Sequence, residues 1–159
     1  MESKILNDVQ IINLADDIKH IEEVSFWVWE EWSRNSGSTL DDVIYRTKHS
    51  ICKDRVPQTY IAKLNDELIG TVSLWYNDLI TRQDLTPWLA SLYIKKEYRG
   101  MGIGTLLQNK IIEVAGDLRY ENLYLITDLE NYYERSGWEF IENAPIRGRT
   151  TKLYVYKLT

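Results

Sequence analysis

The stretch Trp88-Leu89-Ala90-Ser91-Leu92-Tyr93-Ile94-Lys95-Lys96-Glu97-Tyr98-Arg99-Gly100-Met101-Gly102-Ile103-Gly104-Thr105 decides the fold. Its first seven residues are a dense apolar run, short and aromatic enough for a buried strand. From Gly104 the period changes, and Leu107, Ile111, Val114 or Ala115, and Leu118 mark one face of a helix. Between strand and helix, glycines at alternate positions let several backbone N–H groups converge on one spot. The helix N-terminus adds unpaired donors and the positive end of its dipole, so the turn suits phosphate oxygens. Two familiar nucleotide loops fit it poorly. A P-loop requires Gly-Lys-Ser/Thr, whereas Gly104 is followed by Thr105-Leu106. A dinucleotide turn needs a third glycine where Thr105 stands, although Asp128 sits about where that motif wants its acid. A pyrophosphate cradle of a third type remains beside the plainer reading of a tight turn.

Outward from this stretch, the chain alternates short strands with helices. Val9–Asn13 reads as a first strand, and Asp16 to Ser33 as a helix whose buried stripe is Ile21, Val24, Val28 and Trp32. Thr39, followed by Leu-Asp-Asp, is the N-cap of a second helix running to about Ile51. Thr59–Leu64 and Leu68–Tyr76 form a hairpin around Asn65-Asp66-Glu67. Leu123–Thr127 is a buried strand, and residues 129–136 a short helix closed by Gly137. Trp138–Ile141 and Leu153–Leu158 add two strands. The order is β-α-α-β-β-β-α-β-α-β-β, an α+β fold with one mixed central sheet flanked by helices, in which Trp88–Ile94 and Leu123–Thr127 bracket a βαβ unit.

Composition narrows the class. A chain of 159 residues without repeats or linkers predicts a single domain spanning 1–159. No apolar run approaches the roughly 20 residues of a membrane span, and the N-terminus lacks the pattern of a signal peptide. A lone Cys52 excludes an internal disulfide and points to the reducing cytoplasm. Net charge −5 argues against nucleic acid as a partner, and two His with one Cys build no zinc-type metal cluster. Residues 1–51 carry ten acids and five bases, so the helices there either are simply solvated or face something cationic.

The residues of the central stretch resemble the GNAT superfamily of N-acetyltransferases. The family hallmark, Gln/Arg-x-x-Gly-x-Gly/Ala at a strand–helix junction, is matched by Arg99, Gly102 and Gly104. Tyr132-Tyr133-Glu134-Arg135-Ser136-Gly137-Trp138 resembles its second element, aromatic-Tyr-Glu-Lys-x-Gly-Phe/Trp, in the expected order about 30 residues on. The first 55 residues match only in layout. The resemblance implies a GNAT-like fold, acetyl-coenzyme A (acetyl-CoA) as co-substrate with no metal, and a primary amine as acceptor. Leu92, Tyr93 and Ile94 would offer main-chain groups to the pantetheine arm. Arg99, Gly100, Met101, Gly102, Ile103, Gly104 and Thr105 would hold the pyrophosphate, chiefly by backbone N–H, with Lys95, Lys96 or Arg135 near the ribose phosphate. Tyr133 is the expected proton donor to the departing thiolate, with Tyr132 beside it either packing or taking that place.

The acceptor side is less defined. Trp27, Trp29 and Trp32 are aromatic candidates for a pocket, with Trp32 the better core residue. Glu30, Glu31, Asp78 and Asp84 are the carboxylates within reach of a base role, and Arg82 with its acidic neighbours forms a gate over the cleft or a plain surface loop. His49 and Cys52, three apart, read as a surface His and a core Cys before they read as a thiolate pair. The acidic N-terminal helices favour a small cationic amine as acceptor. Two alternatives stay open: an acetyl-CoA-binding regulatory module without turnover, and an acetyltransferase acting on protein or on aminoacyl-tRNA. A free edge at the C-terminal strands would allow a homodimer.

Overall fold

Seven stretches rich in β-branched and aromatic residues form the strands of a single sheet in the computed structural model, which describes residues 2–159. In chain order the elements are α1 (Glu2–Asp8), β1 (Val9–Asn13), α2 (Ile21–Val28), α3 (Leu40–Lys48), β2 (Gln58–Leu64), β3 (Glu67–Trp75), β4 (Trp88–Ile94), α4 (Ile103–Asp117), β5 (Asn122–Thr127), β6 (Glu139–Ile146) and β7 (Arg149–Lys157). The strands lie in the order β1-β2-β3-β4-β5-β7-β6, and β4 and β5 form the parallel pair, joined by α4. The hairpins β2–β3 and β6–β7 close through Asn65-Asp66 and Arg147-Gly148. All four residues have the positive φ that mirror-image turns need to match the sheet's twist.

Helices cover both faces. On one side Ile103, Leu107, Ile111 and Ala115 of α4 pack on Ala62, Val72, Leu74 and Leu89, and Leu6 of α1 joins them. On the other, Ile21, Val24 and Trp27 of α2 pack with Leu14, Ile61 and Leu68. A third cluster, Leu79, Trp88, Ala144 and Leu153, ties the β3–β4 connection to the C-terminal hairpin. Thr39 caps α3 as its sequence predicts: Thr39 Oγ1 accepts from the Asp42 N–H at 3.1 Å, and the Asp42 carboxylate accepts from the Thr39 N–H at 2.8 Å. That capping box also holds the Asp42 carboxyl below its ordinary range.

Three helical expectations change. The stripe through α2 does not reach Trp32, because α2 passes at Trp29–Ser33 into a π-helical turn. The wider turn inserts one residue into the helical phase, so Ser33 is turned inward and Trp32 is left 42% exposed. The second helix ends at Lys48 instead of near Ile51. Residues 129–136 form no α-helix: only Glu134–Ser136 make one 3-10 turn, which Gly137 closes in the left-handed region at φ +93°. Asn131, in the middle of this stretch, takes a left-handed φ of +55°, which a right-handed helix cannot continue through. Helix α1 was not foreseen, since Ile5 and Leu6 alone make no helical stripe. Among the described residues, no helix is long and apolar enough to cross a membrane.

Candidate active site

The site begins as a fork in the sheet. Strands β4 and β5 pair at Trp88↔Tyr124, where the Tyr124 N–H donates to the Pro87 carbonyl at 3.1 Å, and no further register links them. A β-bulge on β4 drives them apart. Thr71 is paired with Tyr93 and Ser73 with Ala90, so Ser91 and Leu92 together oppose Val72. Ser91 takes the bend at φ +54°. The bulge also switches which residues face which layer: Leu89 points to the α4 side before it, and Leu92 and Ile94 point to that side after it. Tyr93 therefore points to the α2 side, where the Trp27 ring lies 5.0 Å away. Beyond the parting point, the β5-facing main-chain groups of Leu92, Tyr93 and Ile94 have no strand partner, which leaves peptide donors and acceptors for a bound chain.

The glycine turn closes the far end of this fork. Gly102 is the N-cap of α4 at φ +88°, and Gly100 also has positive φ, at +78°. With no side chain on the cap and no acid in the first turn, the leading N–H groups of α4 point out unpaired and uncontested. Arg99 does not reach across them. Its Nε donates to the Ile94 carbonyl at 2.8 Å and its guanidinium lies 5.3 Å over the Tyr93 ring. The arginine of the motif thus clamps strand to turn, and donors to an anion come from the backbone. Lys95 is engaged with Glu67 at 3.8 Å, and Arg135 Nε donates to the Asn131 carbonyl at 2.9 Å.

Two adjacent tyrosines face different surroundings. Tyr133 is 8% exposed and packs edge-on against Tyr132 at 4.8 Å and Trp138 at 6.0 Å. Burial, and then the neighbouring Tyr132, push its phenol above the ordinary tyrosine value. Tyr132 is 39% exposed, and its hydroxyl lies over the start of α4, 3.3 Å from where a Cβ on Gly104 would stand. The turn and the tyrosine pair are thereby brought together at one end of the fork.

On the α2 side the expected acceptor residues separate. Trp27 is buried beneath Tyr93, and Trp29 is held by its indole N–H, which donates to the Ser38 carbonyl at 2.8 Å. Glu30 pairs with Arg34 at 3.3 Å on the exposed side of the helix. Arg82 is fully engaged: it grips Asp84 with two hydrogen bonds of 2.9 Å and Glu142 with one of 2.6 Å. Arg82 therefore straps the β3–β4 connection to β6 and is not available to a ligand in this state. His49 lies against the Tyr45 ring, 4.6 Å away. Asp78, half-buried in the same connection, differs from the other acids: desolvation raises its carboxyl to about 7, against the pull of Arg46 and Arg147. Sequence reading missed both arginines because neither belongs to a motif; they act on Asp78 through space, and neither lies within ion-pair distance of it.

Comparison with known proteins follows this geometry. The family model described as "Acetyltransferase (GNAT) family" matches residues 21–138. N-alpha-acetyltransferase 30 of Schizosaccharomyces pombe is 33% identical over 85 residues, which make up 50% of this chain and 56% of that protein. The chain thus spans about half the length of this curated relative. A GNAT-family acetyltransferase from Staphylococcus aureus Mu50 superposes with a TM-score of 0.71 at 20% identity, covering 95% of this chain and 99% of the other. An aminoglycoside 6'-N-acetyltransferase complexed with coenzyme A gives a TM-score of 0.74 at 15% identity, covering 94% and 97%. At such identities the likeness is one of fold. With the family model covering most of its length and the fork, glycine turn and tyrosine element in order, the chain belongs to the acetyltransferase (GNAT) family.

Proposed function

We propose that the protein transfers the acetyl group of acetyl-CoA to a primary amine by direct attack within a ternary complex. The observation that carries this reading is the fork: two neighbouring parallel strands part at a bulge, and their opening leads to unpaired N–H groups at the start of α4. A long ligand with peptide-like amides and a pyrophosphate at one end fits that shape and that donor set. Leu92, Tyr93 and Ile94 would hold the pantetheine amides, and the backbone of Arg99 through Thr105 the pyrophosphate, with the Arg99 side chain keeping the turn in place. When bound, acetyl-CoA supplies an activated thioester carbonyl.

In the transfer, a bond forms between the amine nitrogen and the carbonyl carbon, and the carbon–sulfur bond breaks. One proton leaves the nitrogen and one reaches the sulfur. Tyr133 is the residue we assign to the second proton. An ordinary phenol at pKa ~10 lies only modestly above a thiol at ~8.5; burial raises Tyr133 further and makes it a weaker acid, so the transfer rests on a hydrogen bond to sulfur that strengthens as charge develops there. Tyr132, with its hydroxyl at Gly104, is placed for the phosphate end. The test is Tyr133→Phe. The ring packing survives and no hydrogen bond of the Tyr133 hydroxyl is lost among the described residues, so stability and acetyl-CoA affinity stay near wild type. We expect kcat to fall roughly ten- to a thousandfold. Wild-type turnover in this variant would remove Tyr133 from the proton transfer. If the wild type bound acetyl-CoA and consumed no amine, the regulatory-module reading would take its place.

A further inference from the structure

Among the described residues, four side-chain groups are buried with no hydrogen-bond partner: His20 Nε2, Trp75 Nε1, Trp138 Nε1 and Gln108 Oε1. Three of them have a local account. His20 still lies 3.3 Å from the Asp17 carboxylate. Trp75 borders a crevice of about 10 Å³, which has room for one water. The Trp138 ring is fixed by its packing between Tyr133 at 6.0 Å and Tyr156 at 5.4 Å, and its N–H is the one polar atom lost to that packing. Gln108 has no such account. It is 1% exposed on α4, among Leu107, Ile111 and Ala115, which pack on the sheet. An amide oxygen held there without a donor costs stability, and an apolar side chain of the same length would fill the space without that cost.

The direction of the side chain follows from the helix. At about 100° per residue, Gln108 stands roughly 40° around α4 from Gly104 and roughly 160° from Lys110. Lys110 marks the flank toward β2, since its ammonium lies 5.5 Å over the Tyr60 ring. Gly104 marks the other flank, under the Tyr132 hydroxyl. Gln108 is therefore on the flank that borders the fork and the tyrosine element, about 6 Å further along the axis than Gly104. Because β4 and β5 are parallel, α4 runs back between them from the glycine turn toward the pairing of Trp88 with Tyr124. A ligand arm that enters at the turn and runs to the closed end passes Gln108 one helical turn after its pyrophosphate.

We propose that Gln108 recognises the donor, its carboxamide pairing with an amide of the pantetheine arm. This rests on acetyl-CoA being the donor and deepens that reading. A carboxamide both gives and accepts a hydrogen bond, as the arm's own amides do, so the two are complementary. The test is Gln108→Met, which keeps the length, the unbranched shape and the helix propensity and removes the carboxamide. Stability and affinity should move in opposite directions. Tm of the free protein is expected to rise by about 2–4 °C, because a buried unpaired oxygen is gone. Affinity for CoA, read by calorimetry, is expected to weaken about tenfold. Adenosine 3',5'-bisphosphate, which carries the nucleotide end without the arm, should bind both proteins alike to within about twofold. Unchanged CoA affinity makes Gln108 a plain core residue and overturns the proposal. So does a loss shared equally by the two ligands, which is a disturbed turn, or a loss of kcat alone, which puts Gln108 behind the Tyr133 phenol. A wild type that binds no CoA overturns the donor reading and the proposal together. If acetyl-CoA binds, weakens about tenfold in the variant and acetylates no amine, the transfer reading fails and the role of Gln108 stands.

Discussion

Replacing glycines of the turn by alanine separates a cradle from an ordinary bend, because the three positions differ in backbone and surroundings. Gly102 sits at φ +88°, and a Cβ there would stand 3.3 Å from Leu6 of α1. A left-handed L-residue costs about 1–2 kcal/mol, partly offset by the ~0.4–1 kcal/mol that alanine removes from unfolded-chain entropy. The Leu6 side chain must also give way by a few tenths of an ångström, so a net loss of about 1 kcal/mol is expected. Gly104 is different. It lies within α4, where alanine gains up to ~1 kcal/mol, and its only close neighbour would be the Tyr132 hydroxyl, the far end of a side chain. For a domain of this size ~1 kcal/mol moves Tm by about 2–4 °C. Thermal unfolding should therefore place Gly102→Ala below wild type and Gly104→Ala at or above it. Acetyl-CoA at a hundred times its Kd adds about 2.7 kcal/mol to the wild type. Reorienting the amides of the cap should weaken binding about tenfold in Gly102→Ala and roughly halve that gain. Shifts of the same sign in the two variants, or an undiminished ligand effect in Gly102→Ala, would refute the cradle.

Two further outcomes follow from single side chains. The Asp78 carboxyl, raised by burial to about 7 from an ordinary 3.8, favours its protonated form in the fold; its contribution is complete in acid and is lost as pH rises through about 7, so Tm of the wild type should fall relative to Asp78→Asn between pH 5 and 8.5, and parallel curves would show the group to be solvated. Arg82→Ala releases the strap to Asp84 and Glu142 at a cost of about 1 kcal/mol or less, and hydrogen exchange in residues 77–86 should quicken while α4 stays protected; uniform exchange across the chain would show that the strap holds nothing.

What the sequence made legible is what depends on neighbours along the chain. The strand, glycine turn and helix from Trp88 to Asp117 are local grammar, as is the Thr39 capping box, and the structure has them where the pattern puts them. Trp32 was misplaced because a π-helical turn leaves no mark in composition, and one added residue rotates everything after it. The helix expected over residues 129–136 is interrupted at Asn131, whose left-handed φ of +55° no apolar pattern announces. Apolar periodicity could not tell Tyr132 from Tyr133, since both are aromatic and adjacent. Their difference lies in which one meets Trp138 and which one meets the start of α4. Arg46 and Arg147 are 101 positions apart in number and were invisible for that reason.

The bulge at Ser91 and Leu92 works as a parity bit for the whole of β4. A strand with one residue fewer would still be apolar and still pair with β3, but Leu92 and Ile94 would exchange layers with Tyr93. Two aliphatic side chains would leave the α4 interface and a tyrosine would enter it. Closing the fork by deletion and scrambling the core are therefore one event, not two. A lineage can change single side chains along the fork, but it cannot drift by small steps to a flat, closed sheet without passing through a chain whose layers no longer match.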